Sequence, residues 1–232
     1  MLYTEEAVKA NIRSREGKRV FFLGKNDNLT SAARDYLSRE RIEIRPAQSA
    51  RPERFPLLGG GYCEEKPEHM THLDGVTLAP KTHPRITFRG KMDTLEANLI
   101  LCRLFVPRFD RELKDILGYV RLLLRCEVLG EPVPEQKICG LTEQELRQHS
   151  HFPQDYYNQP HFMPESEDGR EIAILNLARS AAREAELAAA AAFTDGYGQV
   201  SRADLLRACN RLSSAVYLLM IRQRAARNEG TP

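Results

Sequence analysis

From residue 92 onward, apolar residues recur every three or four positions. Met92, Leu95, Leu99, Cys102 and Phe105 make one stripe, which predicts a helix that begins near Asp93. Pro107 interrupts it. Leu113, Ile116, Leu117, Val120, Leu123 and Leu124 make a second stripe, closed by Gly130. Thr142 and Glu145 read as a capping box for the short helix LTEQELRQH. Residues 151–166, rich in Tyr, Pro, His and Asn, read as an ordered loop. A long helix follows over 168–193, punctuated by Gly196 and Gly198. Ser201 with Asp204 opens a last helix to about Arg227, with Leu205, Leu206, Leu212, Val216 and Leu219 facing inward.

The first 45 residues have a different rhythm. A helix is expected over 3–15 from a start near Thr4, then a strand at Arg19–Leu23 (RVFFL). Thr30 caps a second helix, SAARDYLSRER, and Ile42–Arg45 alternates like a strand. Pro46, Pro52, Pro56 and Gly59–Gly61 then mark a linker or open loop. The expected organisation is a small N-terminal α/β extension (1–45), a linker (46–62) and a helical bundle (63–228). The expected fold class is mainly α, because long helices dominate and no strand pattern follows residue 90 or so.

Composition narrows the function classes. The chain has 232 residues, 42% hydrophobic and 28% charged, with a net charge of +2. Residues 1–62 carry 12 Lys+Arg against 8 Asp+Glu, too mild a basic excess for a nucleic-acid binder. No apolar run approaches the roughly 20 residues that span a bilayer, and the start MLYTEEAVKANIR is not a signal peptide. Five scattered cysteines without a CxxC fit a reducing cytoplasm.

The candidate chemistry sits in three stretches. In NLARSAAREAEL, Arg179, Arg183 and Glu186 share one helix face among alanines. The face suits pairing within the helix, or a polyanion or buried carboxylate held by two cations. In CNRLSSAVY, Asn210, Ser213, Ser214 and Tyr217 share a face, which suits a polar seam or the lining of a ligand such as adenosine. In residues 64–99, Thr71, His72, the backbone at Asp74-Gly75 and Lys81 could cradle a phosphate. Arg85, Arg89 and Lys91 could equally belong to a solvated basic loop. The stretch lacks the GxxxxGK[ST] of a Walker loop. Cys63, His69 and His72, with Glu64 or Glu65, are weak metal candidates. A zinc site usually shows paired cysteines or two histidines at helical spacing, so no metal site is assigned and a transition metal stays open.

KPEHMTHLDG, LAPKTHPRITFRGKMDTLEA, LNLARSAAREAE and NRLSSAVYLLM occur in that order. Together they resemble the corrinoid adenosyltransferases of ethanolamine utilization, relatives of the propanediol-utilization cob(I)alamin adenosyltransferases. The resemblance covers roughly 63–225 and touches LTSAARDYLSRERIEI near the start. It implies a five-helix bundle, a homotrimer with sites between subunits, and transfer of the 5′-deoxyadenosyl group of ATP to reduced cobalamin with Mg²⁺. By resemblance Arg179 and Arg183 match the family's arginines, and Asp93 matches the aspartate that pairs with the first. Glu186 matches the glutamate of the same helix. Asn210 and Arg211 match the stretch that contacts ATP. Phe162, in HFMPE, matches the aromatic packed under the corrin ring. Departures are also plain: MTHLDG replaces a Thr- and Gly-rich phosphate loop, and NRLSD of relatives reads NRLSS. Some ethanolamine-type members carry a histidine followed by a CCxxC cluster, of which only Cys63 remains. The implied partners are a flavin or other reductase, ethanolamine ammonia-lyase and a microcompartment shell. The alternative reading is a non-catalytic module that binds or delivers adenosylcobalamin.

Overall fold

A computed structural model of the chain describes residues 2–15, 18–24, 26–46 and 54–229, without the side chains of 13–15. The contacts divide it into two units, Met1–Pro56 with Gly60–Lys66, and Leu57–Gly59 with Pro67–Pro232.

The first unit is a small α/β element. Its order is β1 (Leu2–Tyr3), α1 (Glu5–Asn11), β2 (Arg13–Arg15), β3 (Lys18–Leu23), β4 (Asn28–Leu29), α2 (Ser31–Arg39), β5 (Glu43–Pro46), β6 (Phe55–Pro56) and β7 (Tyr62–Cys63). Thr4 caps α1 by accepting from the Ala7 amide, and Thr30 does the same for α2 with Ala33. The helix expected over 3–15 stops at Asn11, because Ile12 turns extended and the next three residues pair antiparallel with β3. Strands β3 and β5 run parallel, with Val20 opposite Glu43. Val8, Phe21, Leu29, Ala33, Tyr36, Leu37 and Ile42 fill the core beneath them. The expected linker is partly ordered. Phe55–Pro56 pairs antiparallel with Tyr62–Cys63, and Gly60 and Gly61 adopt φ of 93° and 77° between them, which only glycine takes without strain. Residues 47–53 of that expected linker, Pro52 among them, lie outside the described residues.

The second unit opens with a hairpin, β8 (Met70–His72) and β9 (Leu78–Pro80), then α3 (Pro84–Phe105), α4 (Asp110–Leu129), α5 (Glu143–His151), α6 (Pro153–Tyr157), α7 (Arg170–Phe193) and α8 (Ala203–Glu229). Helices α3, α4, α5, α7 and α8 make a five-helix bundle. α7 packs against both α3 and α8, and α5 packs on α8. The buried face of α7 includes Ala178, Ala181, Ala182, Ala185 and Ala189, so its neighbours approach closely. The expected stripes of α4 and α8 are buried, apart from Leu124 and Leu206, which are half-buried. Gly130 ends α4 at φ 69° in the left-handed region. Thr142 and Glu145 form the capping box. Two expectations change. The segment 151–166 contains the short helix α6, and α8 starts at Ala203 because the Ser201 hydroxyl donates instead to the Phe193 carbonyl.

Helix α3 begins at Pro84, nine residues before the expected start. His83 caps it, its Nδ1 accepting from the Arg85 amide at 3.2 Å, and Pro84 stands at the first helical position. Burial, with Arg85 and Arg89 nearby, keeps the His83 imidazole below its usual pKa, as an accepting nitrogen requires. The apolar pattern hid these turns because their inward face carries Arg85 and Arg89 beside Phe88. Phe105, expected inside, is 45% exposed, and Ile100, Leu101 and Leu104 are exposed with it.

Candidate active site

Arg179 and Arg183 stand one turn apart on α7 and line a cleft of about 260 Å³. Ser213, Ser214 and Tyr217 of α8 form another wall, with Ser150 and His151 at the end of α5. Arg179 is half-buried and donates from Nε to the Asn176 side chain at 2.9 Å. Burial, then the neighbouring Arg183, push its pKa below the usual guanidinium value. Arg183 is exposed and makes no side-chain hydrogen bond or ion pair among the described residues. Among the described residues the lining therefore holds two cations, three hydroxyl groups from Ser and one from Tyr, and no carboxylate. Three larger clefts lie elsewhere on this unit; one has Asp195 and no cation, and the remaining two are of mixed charge. Of these two, one has Arg111, Lys114 and Lys137 against Glu112 and Asp115. The other has Lys137, Arg207 and Arg211 against Glu135, Glu143 and Asp204. Carboxylates in both offset the pull of their cations on a polyphosphate, whereas the charged side chains of the arginine cleft are of one sign only.

Asn210 links the two helices beside this cleft. Its side-chain amide donates to the Glu186 carboxylate, and its oxygen accepts from Arg211. Ser213 Oγ donates to the Asn210 carbonyl at 3.1 Å. Four of the expected site residues (Arg179, Arg183, Glu186 and Asn210) thus lie along one α7–α8 seam. Arg211, expected beside ATP, lines one of the mixed-charge clefts, with Tyr119 and Thr142, because the next residue on a helix points to a different face. Its Nε is buried without a hydrogen-bond partner among the described residues, and burial lowers its pKa.

The expected pairing of Arg179 with Asp93 is not made within the protomer. Asp93 is exposed on α3, and Arg179 is taken up by Asn176. The expected phosphate cradle is the β8–β9 hairpin, and none of its residues lines the arginine cleft. Thr71 and His72 are half-buried in β8, while Gly75 and Lys81 are exposed. Asp74 has a structural job: its Oδ1 accepts from the Val76 and Thr77 amides at 3.0 and 2.7 Å, closing the turn. These bonds hold its carboxyl below the usual range and occupy amides that a phosphate would need.

Sequence reasoning missed a buried charge cluster under the hairpin. Arg85 and Arg89 both donate to Glu127 of α4, at 2.5 and 2.6 Å, and the Glu127 side chain is 0% exposed. Arg89 also donates to the His72 and Leu73 carbonyls, at 3.2 and 2.5 Å, fastening the hairpin to the bundle. The only signal was a pair of arginines four apart, which reads equally as a solvated face.

Phe162 packs half-buried against the core, its ring 6.4 Å from that of Tyr217. Cys63 Sγ faces the Phe55 carbonyl at 3.9 Å. Among the described residues no three His, Cys, Asp or Glu side chains come together to hold a metal ion, so Cys63, His69 and His72 gain no further ligands there. No described helix is long and apolar enough to cross a membrane.

The family model for cobalamin adenosyltransferase matches residues 61–223. The corrinoid adenosyltransferase EutT of Escherichia coli strain K12 is 31% identical over 94% of this chain and 90% of its own length. The protein of the same name from Salmonella typhimurium is 32% identical over the same shares. The matched span holds the hairpin, the arginine cleft and the Glu186–Asn210 seam, and the chain belongs to the cobalamin adenosyltransferase family.

Proposed function

We propose that the protein is an ATP:corrinoid adenosyltransferase that moves the 5′-deoxyadenosyl group of ATP onto reduced cobalamin and releases triphosphate. The observation that carries this is the arginine cleft, which offers two guanidinium groups and no carboxylate. Family membership supports the same reading. Co(I) is itself a strong nucleophile, so the chain needs no general base. The cobalt electron pair forms the bond to the ribose 5′ carbon. The carbon–oxygen bond breaks, and its pair leaves on the triphosphate. Arg183, without a partner among the described residues, offsets the charge that grows on that leaving group. Mg²⁺ accompanies the phosphates. Glu186 and Asn210 hold the nucleoside end, and Phe162 keeps a lower ligand off cobalt.

The working unit in this reading is a homotrimer. Asp93 reaches Arg179 across a subunit interface, and the hairpin, with Thr71, His72, Gly75 and Lys81, completes the triphosphate site from the adjacent subunit. Support comes from the exposed apolar group Ile100, Leu101, Leu104 and Phe105, and from the separation of hairpin and cleft residues within one protomer. The setting we propose is ethanolamine utilization beside a microcompartment shell. A flavin or other reductase supplies electrons there, and ethanolamine ammonia-lyase takes the product. The sequence segments shared with that group support it.

The test mixes purified protein with ATP, Mg²⁺ and chemically reduced cobalamin and follows loss of the Co(I) absorbance. Catalytic turnover with triphosphate release is expected. Tight binding of adenosylcobalamin without turnover would make the protein a delivery module instead.

A further inference from the structure

The loop before α7 is fastened to the walls of the arginine cleft by one histidine. His161 Nε2 lies 3.1 Å from the His151 carbonyl, and Nδ1 lies 2.9 Å from the Tyr217 hydroxyl. A carbonyl only accepts, so Nε2 carries the proton and Nδ1 accepts from Tyr217. Both Tyr217 and His151 line the cleft. The imidazole also stacks on the Tyr217 ring at 5.8 Å and 13°.

The next residue, Phe162, is held from two sides. One side meets the Tyr217 ring at an interplanar angle of 26°. Over the ring stands the Arg224 guanidinium, 4.2 Å from its centroid. Arg224 is tied to Asp168 at 3.3 Å, and the Asp168 side chain is 12% exposed. Asp168 also accepts from the Glu165 amide at 2.9 Å, which closes the same loop. Tyr217 and Arg224 are two turns apart on α8, so one helix carries both grips and a wall of the cleft.

We infer that Tyr217 and Arg224 are positioning residues that couple the two substrate sites. Through His161 and the Phe162 ring, occupancy of the arginine cleft sets where the corrinoid-facing aromatic stands. The inference rests on the proposed role of Phe162 at the corrinoid and adds the residues that transmit to it. A nucleotide that moves the Tyr217 wall moves His161 and the Phe162 ring with it. The corrinoid lower ligand is then displaced fully only when ATP is bound.

The test uses the full chain with Co(II) cobalamin, with and without ATP, read by electron paramagnetic resonance for the fraction of cobalt lacking a lower ligand. ATP is expected to raise that fraction in the wild type. Tyr217→Phe, which keeps the ring stack but deletes the hydroxyl, and Arg224→Met should cut the ATP-dependent rise at least threefold, on the order of one hydrogen bond. His161→Ala removes the same link from an exposed position and should behave like Tyr217→Phe. Turnover should fall at least threefold further from Co(II) with a reductant than from pre-reduced Co(I). An equal loss from both cobalt states, or an unchanged ATP-dependent rise, overturns the coupling. Phe162→Ala separates the layers. If it abolishes the rise while the other three variants do not, only the coupling falls. If it leaves the rise intact, the corrinoid role of Phe162 falls and the coupling with it.

Discussion

Arg89 and Glu127 meet at 2.6 Å across α3 and α4, and the same carboxylate takes Arg85 on its other oxygen. One fully buried glutamate thus holds two partly buried guanidinium groups, and through Arg89 it holds the β8–β9 hairpin. Removing one member of a buried ion cluster leaves the rest uncompensated, at a cost of about 3–5 kcal/mol. Glu127→Ala is expected to lower Tm by about 6–20 °C in a thermal melt, given the size of the chain. Arg89→Ala should also lose stability, so it is no neutral reference for site variants. Arg125→Ala, from an exposed pair with Glu131, serves better, since such pairs contribute about 0–1 kcal/mol. A Glu127→Ala melt within 1–2 °C of wild type, on the order of measurement scatter, would dissolve the cluster's structural role.

Arg183 has no partner to lose among the described residues, so its removal should leave the fold intact and weaken ATP binding. A charge-assisted hydrogen bond is worth about 1.5–3 kcal/mol, which corresponds to an ATP KM raised about 10- to 100-fold in Arg183→Ala. Arg183→Lys should recover part of this, because the charge returns without the planar fork. Unchanged KM in Arg183→Ala, measured with saturating Co(I) cobalamin, would place the triphosphate elsewhere.

Asp93 is exposed and unpaired with Arg179 within the chain, so the pairing proposed above requires an adjacent subunit. Asp93→Asn is expected to lower turnover and ATP affinity more than Arg125→Ala. Its effect should grow as protein is diluted below the concentration at which light scattering shows dissociation. Kinetics equal to those of Arg125→Ala at every concentration would remove the pairing across subunits.

Asp204 gives a prediction with a definite sign in pH. Arg202, at 2.9 Å, and the Val133 amide hold its carboxyl well below the usual value of 3.8. A carboxylate with a depressed pKa in the folded state contributes stability that is present above the unfolded value and lost as pH falls through the folded one. The Tm advantage of wild type over Asp204→Asn should therefore be constant near neutrality and shrink below about pH 4. An advantage that instead widens in acid would contradict the ion pair as its source.

The helices of the bundle were legible because helical periodicity is local. Leu113, Ile116, Leu117, Val120 and Leu123 announce α4 through spacing alone, and Gly130 announces its end. The start of α3 was not legible, because its first inward residues are arginines. Only a glutamate about forty positions away makes them inward. Phe105 misled in the opposite direction: its spacing fits the stripe, yet the helix ends there and the ring stays exposed.

The candidate site divides in the same way. That Arg179, Arg183 and Glu186 share a face, and that Asn210, Ser213, Ser214 and Tyr217 share another, is written in offsets along two helices. The sequence by itself determined those faces, the bundle and the family resemblance. Only the tertiary structure decided that the two faces meet, that Asn210 bridges to Glu186, that Arg211 turns to another cleft, and that Asp74 closes its own turn. The physical reason is range. Helix faces follow from bonds between residues three and four apart, whereas the partner and burial of a polar group depend on which distant element packs against it.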